Sequence, residues 1–317
     1  MAYNEYISRT DADALIPDET SREILTDLTD SFWLLQLARR LPDMSTKTRS
    51  IPVMTGLAAA GFVSGDTGLK ITTDVTWDGV DLVAEEVAVI VPIPEAVLDD
   101  ADYDIWGQVR PAIVEAFGRV LTGAVLYGTD IPAAWTTGLG GAGLVARATT
   151  ASQYASIDGF TDFYEAFEGE SAPGSADGML MMLEADGFGI TGTVGHVGIK
   201  GLIRNTRDAN GQKLYASTDE LGGAPAVYPL DGTISSTYKL ISGDWQKLVY
   251  SMRQDMTYKI LDQAVITGAD GSIIWNFAQQ DMVGMRCVMR IAFAAPNPIN
   301  RMQATASSRC PWAYLTA

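Results

Sequence analysis

The chain has 317 residues, 47% of them apolar and 19% charged, with 39 Asp and Glu against 22 Lys and Arg, a formal charge of −17. That size and composition support an ordered protein with a substantial core, as one large domain or two modest ones, and exclude a disordered chain. The acidic balance excludes a dedicated reader of duplex nucleic acid, which must neutralise phosphates with Lys and Arg, but not a protein that encloses nucleic acid behind a repelling wall.

Met1-Ala2-Tyr3-Asn4-Glu5-Tyr6 lacks the basic-then-apolar layout of a signal peptide. No uninterrupted apolar run approaches the ~18 residues of a membrane span, so a soluble chain made in the cytoplasm, with no membrane partner, is expected. The N-terminal stretch reads as an arm. Asp18-Glu19-Thr20-Ser21-Arg22-Glu23 supplies the acidic first turn of a helix carrying Ile24, Leu25, Leu28, Phe32 and Leu35. A charged, turn-rich stretch from Arg39 to Arg49 then precedes Ile51-Pro52.

Residues Leu57 to Gly68 are small and flexible, and strand formers lie on both sides, among them Thr72, Val75, Thr76 and Trp77. Arg49 to Glu85 therefore reads as a long projecting two-stranded excursion. An isolated hairpin is marginal in water, so a partner surface is implied. Next, Val87, Val89, Val91 and Ile93 alternate with Ala88, Ile90 and Pro92, the pattern expected of a strand buried on both faces. Pro94-Glu95 suits a helix first turn. From Asp104 a helical stripe runs through Ile105, Val109, Ile113, Phe117, Val120, Ala124 and Tyr127 and stops at Gly128, a natural C′ residue. Pro111 inside it should kink the helix or mark its effective start.

The region from 130 to 245 is mixed. Ile157 to Phe167 reads as a helix through Phe160, Phe163, Tyr164 and Phe167, Gly198 to Arg207 as another, and Asp208-Ala209-Asn210-Gly211 as a turn. Beyond Asp244 the pattern becomes strand-like. Its clearest run places Val283, Met285, Cys287, Met289, Ile291 and Phe293 on one face and Gly284, Arg286, Val288, Arg290 and Ala292 on the other, as in a sheet covered on one side. No repeat of solenoid or propeller length is present.

Motifs that would carry catalysis fail on inspection. Gly138-Leu139-Gly140-Gly141-Ala142-Gly143 is a literal G-x-G-x-x-G with Asp158 at the ribose position, but Ile131 to Thr137 is a poor strand and no helical period follows; a flexible connecting loop is expected. Asp100-Ala101-Asp102-Tyr103-Asp104 begins like a calcium loop, then puts Ile105 where Gly is needed and Pro111 where Glu is needed. His196, the single histidine, excludes a multi-histidine metal site and has no G-x-S-x-G serine to serve, so it is read as structural. Glu85-Glu86 and Asp99-Asp100 are read as solvated pairs. Cys287 is read as a small core hydrophobe, and with Cys310 it makes no disulfide framework. No catalytic residue, cofactor or metal site is expected, and the chain is not expected to be an enzyme. The contrasting reading is a nucleotide-binding enzyme built on the Gly138 loop.

Three segments in order resemble the major capsid proteins of tailed bacteriophages, whose coat fold, of the HK-ninety-seven type, is shared with encapsulin shells. The stretch from Ala60-Gly61-Phe62-Val63 through Val91-Pro92-Ile93-Pro94-Glu95 to Leu126-Tyr127-Gly128 is similar to the family's extended loop, following strand and spine helix. Leu202 to Tyr215, with Leu221-Gly222-Gly223-Ala224-Pro225-Ala226-Val227, is similar to its axial-domain helix, turn and strand. Ser242-Gly243-Asp244-Trp245 through Ile260, then Gln280 to Pro296, resembles its closing strands.

The resemblance implies an α+β subunit with an N-terminal arm (1–48), an extended loop (49–85), a peripheral domain with the spine helix (86–137 and 250–317) and an axial domain (138–249). It implies a structural protein made in the host bacterial cytoplasm and carried in the virion. Such subunits form pentamers and hexamers of an icosahedral shell around double-stranded DNA, without sequence-specific binding. An encapsulin compartment is the neighbouring reading. Ile24, Leu28, Phe32, Leu57, Phe62, Val63, Lys70 and Trp77 are the expected contacts between subunits; Ile105, Val109, Ile113, Phe117, Val120 and Tyr127 are the expected packing stripe of the spine. The arm begins close to Met1, so a separate scaffolding protein is expected, with a portal and possibly a decoration protein. Lys70 lies where some members form a cross-link, but no partner motif is found and none is expected here.

Overall fold

The computed structural model describes residues 32–63, 68–70, 72–99, 105–169, 177–208 and 210–317. A short helix α1 (Trp33–Leu37) leads into strand β1 (Arg39–Arg40), followed by β2 (Thr48–Met54), β3 (Trp77–Val83), β4 (Glu85–Pro94) and helix α2 (Glu95–Asp99). The long helix α3 (Ile105–Tyr127) precedes α4 (Ala133–Leu139), α5 (Leu144–Thr150), β5 (Tyr154–Ser156), α6 (Phe163–Glu168) and α7 (Met179–Ala185). Strand β6 (Gly192–Gly195), helix α8 (Lys200–Asn205) and strands β7 (Glu220–Leu221), β8 (Ala224–Val227) and β9 (Tyr238–Gly243) follow. The chain closes with β10 (Val249–Leu261), β11 (Val265–Thr267), β12 (Ile273–Asn276), α9 (Phe277–Gln280), β13 (Met282–Ala294) and β14 (Trp312–Thr316). Among the described residues no helix is long and apolar enough to cross a membrane.

These elements divide into two compact units. The first is built from Ala84–Gly118 and Met252–Ile291, with Phe32. Here β13 pairs antiparallel with β4, in register from Met282↔Pro94 to Ile291↔Glu85. The expectation that β4 is buried on both faces is corrected. Ile93 is buried and Val87, Val89 and Val91 half-buried, while Glu86, Ala88 and Ile90 are exposed. The reason is position: β4 is an edge strand, and only one of its faces is covered. The face of β13 carrying Met285, Cys287, Met289, Ile291 and Phe293 is buried, with Val283 half-buried. The expectation of a sheet covered on one side is corrected: on the other face only Arg286 is exposed, Arg290 is half-buried, and Gly284, Val288 and Ala292 are buried as well.

Pro111 lies inside α3 without ending it, and the helix already begins at Ile105. Its buried side chains are Trp106, Ile113, Val114, Phe117, Leu121, Thr122, Ala124, Val125 and Leu126. Val120 is 53% exposed. At about 100° per residue these buried positions centre between Phe117 and Leu121, and Val120 falls on the flank. Gly118 lets the Phe32 ring lie directly on the helix, since a Cβ there would strike it. Gly128 ends the helix in the left-handed region at φ +70°, its N–H donating to Ala124 O at 3.1 Å.

The second unit comprises Trp33–Val83, Arg119–Ser251 and Ala292–Ala317. It holds a six-stranded sheet in the order β5-β14-β9-β6-β8-β7. The sequence grouped 312–316 with residues 250 onward, but β14 pairs with β9 on one side (Tyr314↔Ile241) and with β5 on the other (Tyr314↔Tyr154). Helices α6, α7 and α8 contribute Phe163, Phe167, Met179, Leu183 and Ile203 to one buried cluster with Leu221, Leu240 and Leu315 from the strands. Each such side chain contributes roughly 1.5–3 kcal/mol by leaving water. The helix expected over 157–167 is instead a 3₁₀ turn at Ile157–Gly159 and then α6. Asp162 restarts the backbone as an N-cap, its Oδ1 accepting from Glu165 N at 3.0 Å.

Candidate functional site

The excursion between β2 and β3 is rooted at one end and bare at the other. At the root, Leu82 is fully buried, and Val53, one pair from the other end of the ladder, nearly so. The Trp135 indole N–H donates to Val83 O at 2.8 Å, and Gly138 lets α4 approach so closely that a Cβ there would sit 3.0 Å from Asp81 O. The ladder runs from Thr48↔Val83 to Met54↔Trp77. Beyond it, Thr55 N and Gly56 N both donate to Thr76 O (2.9 and 3.1 Å), and Ala59 N donates to Thr73 Oγ1 at 3.1 Å.

Among the described residues, several apolar side chains at and beyond the end of this ladder stand open. Phe62 is wholly exposed, Leu69 is 94% exposed and Trp77 64% exposed, with Val63 and Met54 also open. Isolated exposed apolar residues are ordinary on protein surfaces, but a concentration of them on a projecting hairpin marks a contact surface. A two-stranded ribbon gains little stability alone, so what orders its far end is another surface.

The sequence-predicted contact residues divide as follows. Ile24 and Leu28 lie outside the described residues. Phe32 is buried on Gly118 within its own unit. Leu57 is half-buried, and Phe62, Val63, Lys70 and Trp77 are exposed on the excursion. Of the spine residues, Ile113 and Phe117 are buried, Val109 is half-buried and Val120 is exposed. The side chain of Ile105 lies outside the described residues. Tyr127 is half-buried, stacked on Tyr238 with ring centroids 5.2 Å apart, its hydroxyl accepting from Ser235 N at 3.2 Å. Leu69 lies within the stretch Leu57 to Lys70 expected to carry these contacts, whereas sequence reasoning missed Met54; an apolar residue stranded beside Thr and Gly was the available signal.

The residues singled out for chemistry have structural places. The Gly138–Gly143 loop joins two helices, α4 and α5, so the strand that a dinucleotide fingerprint needs is absent from its position. The loop is also filled from within. The buried Arg147 guanidinium donates from Nη1 to Ala295 O at 2.8 Å and Leu139 O at 3.3 Å, and packs over the Trp312 ring. His196 Nδ1 accepts from Gly198 N at 3.1 Å and caps the short turn that precedes α8. Cys287 and Cys310 are free and buried; burial pushes their thiols up to about 12 and about 11, leaving them protonated and inert. Among the described residues no group of three or more His, Cys, Asp or Glu side chains is placed to hold a metal ion.

Comparison with known proteins gives one consistent result. The model of the phage capsid family matches residues 12–300. The major capsid protein of Staphylococcus phage 80alpha is 22% identical over 286 residues, covering 88% of this chain and 81% of that protein. A solved structure from Microbacterium phage Oxtober96 superposes with a TM-score of 0.77 at 29% identity, covering 100% of this chain and 96% of its own. One from Mycobacterium phage Cain gives 0.74 at 29% identity, with 98% of each chain covered.

Proposed function

The chain belongs to the phage capsid family, and from that premise we propose how its parts work. It is a phage major capsid protein, a structural component of the virion shell and not an enzyme. In the proposed arrangement many copies form pentamers and hexamers of an icosahedral shell around packaged double-stranded DNA. A separate scaffolding protein and a portal serve assembly, and the outer surface is open to a decoration protein. Residues 1–48 act as the arm, 49–85 as the extended loop, 86–137 and 250–317 as the peripheral domain with the spine helix, and 138–249 as the axial domain, whose sheet β14 joins.

One observation carries this reading: a firmly rooted ribbon ends in side chains that, among the described residues, stand open. We assign Leu57, Phe62, Val63, Lys70 and Trp77 to contacts with neighbouring copies, and Ile24 and Leu28 of the arm to the same role. Each contact is weak alone, and closed symmetry multiplies it. The net charge of −17 is the expected character of a wall along which DNA must slide.

Phe62→Ser combined with Leu69→Ser tests the proposal. Both side chains are exposed, so subunit stability should stay within about 0.5 kcal/mol of the parent by denaturant unfolding. Electron microscopy should show shells for the parent and unassembled subunits for the double variant. Normal shells from the double variant would remove the excursion from assembly.

A further inference from the structure

The ladder of the projecting ribbon stops at Met54↔Trp77, and beyond it scattered bonds from Thr55, Gly56 and Ala59 continue across the ribbon. The irregular segment after β13 lies against it there. Ile299 N donates to Met54 O at 3.0 Å, and Arg301 Nη2 donates to Ala58 O at 2.8 Å, past the last ladder pair.

That segment is itself fastened to the body of its unit. Asn300 Nδ2 donates to Asp186 O at 2.6 Å, and Asn300 Oδ1 accepts from Gln303 N at 2.7 Å. The buried Arg309 guanidinium donates from Nη1 to Gln303 O (2.7 Å) and Ala304 O (3.1 Å), and from Nε and Nη2 to the side chain and backbone oxygens of Asn297 (2.9 and 3.0 Å). Asp186, also buried, accepts from Gln153 Nε2 at 2.9 Å and Cys310 N at 3.2 Å. An unbroken run of hydrogen bonds therefore leads from the buried Asp186 and Arg309, through residues 297–303, to the carbonyl of Ala58.

We propose that Arg301 is a positioning residue for assembly, a strut that holds the first stretch of the excursion at a fixed angle to its root. The proposal rests on reading the excursion as an assembly arm and adds what aims it. A segment ordered before contact loses less conformational freedom on docking, so a pre-aimed arm associates faster and holds more tightly. Arginine suits the task, because the charged guanidinium makes a stronger bond to a carbonyl than a neutral donor would. Lysine keeps the charge but offers a flexible point donor in place of the planar fork.

Hydrogen exchange on unassembled full-length subunits provides the test, read at the amides of Thr55, Gly56 and Ala59, whose acceptors are Thr76 O and Thr73 Oγ1. Arg301→Ala is expected to speed exchange there about tenfold, the loss of one charge-assisted hydrogen bond, with β2 and β3 unchanged. Shell formation, followed by light scattering, should slow in parallel, and Arg301→Lys should recover part of both. Unchanged exchange at these three amides overturns the strut, whatever assembly does. Faster exchange with normal assembly removes Arg301 from the process. In that case the Phe62→Ser, Leu69→Ser variant separates the two failures: its assembly defect keeps the arm reading and discards only the strut, whereas its normal assembly discards both.

Discussion

Glu168, at the end of α6, is half-buried near Glu184 and Tyr215. Burial lifts its carboxyl above the usual carboxylate range; the Tyr215 hydroxyl works against the shift and Glu184 adds to it. The folded-state pKa therefore exceeds the unfolded value of about 4.3, so the fold favours the protonated form. Stability from this group is fully present below the unfolded pKa and is lost as pH rises through the folded one. Glu168→Gln is expected to raise the thermal midpoint at about pH 7, by roughly 1–2 °C given solvent screening, and to leave it unchanged near pH 3. Calorimetry across that range checks the sign. A difference that grows toward acid would contradict it.

At the scale of elements, α3 makes the sharpest test. Leu121 is buried on its inner face and Val120 exposed on its flank, although both are apolar neighbours. Leu121→Ala should cost about 2–4 kcal/mol, and Val120→Ala under about 0.5 kcal/mol, in denaturant unfolding of the subunit. Equal costs would restore the stripe drawn from spacing alone. The helix limits were legible because its apolar period starts after Asp104 and stops at Gly128. Its inner face was not, because Phe117, Val120 and Leu121 satisfy a step of three or of four equally well. The alternation of β4 was legible too, but which face is covered depends on a partner strand far along the chain. Phe62, Val63 and Trp77 could be picked out because apolar residues in a Gly- and Ala-rich stretch have no local surface to cover. The bond from Arg301 to Ala58 spans 243 positions and leaves no periodic trace.

For the whole molecule, the place of β14 decides how tolerant the chain is of shortening. It lies between β5 and β9, and Trp312, Ala313 and Leu315 are fully buried. Deleting residues 312–317 strips β9 and β5 of their shared partner and opens the cluster that holds Phe163, Phe167 and Leu183. The shortened chain is expected to bind a hydrophobic dye and to lose its cooperative unfolding transition, while deletion of Ala317 alone leaves both as they were. A cooperative transition in the shorter chain would show that the remaining strands close without it.

The same arrangement orders events during synthesis. Strands β6 and β9 pair directly, but β5 joins their sheet only through residues 312–316, and pairing across such sequence distance is slow. The sheet in each nascent polypeptide therefore stays incomplete until residues 312–316 have been made. Until then the edges of β5 and β9 and the apolar cluster beneath them stay open, a state in which half-made copies on one messenger RNA are prone to cluster.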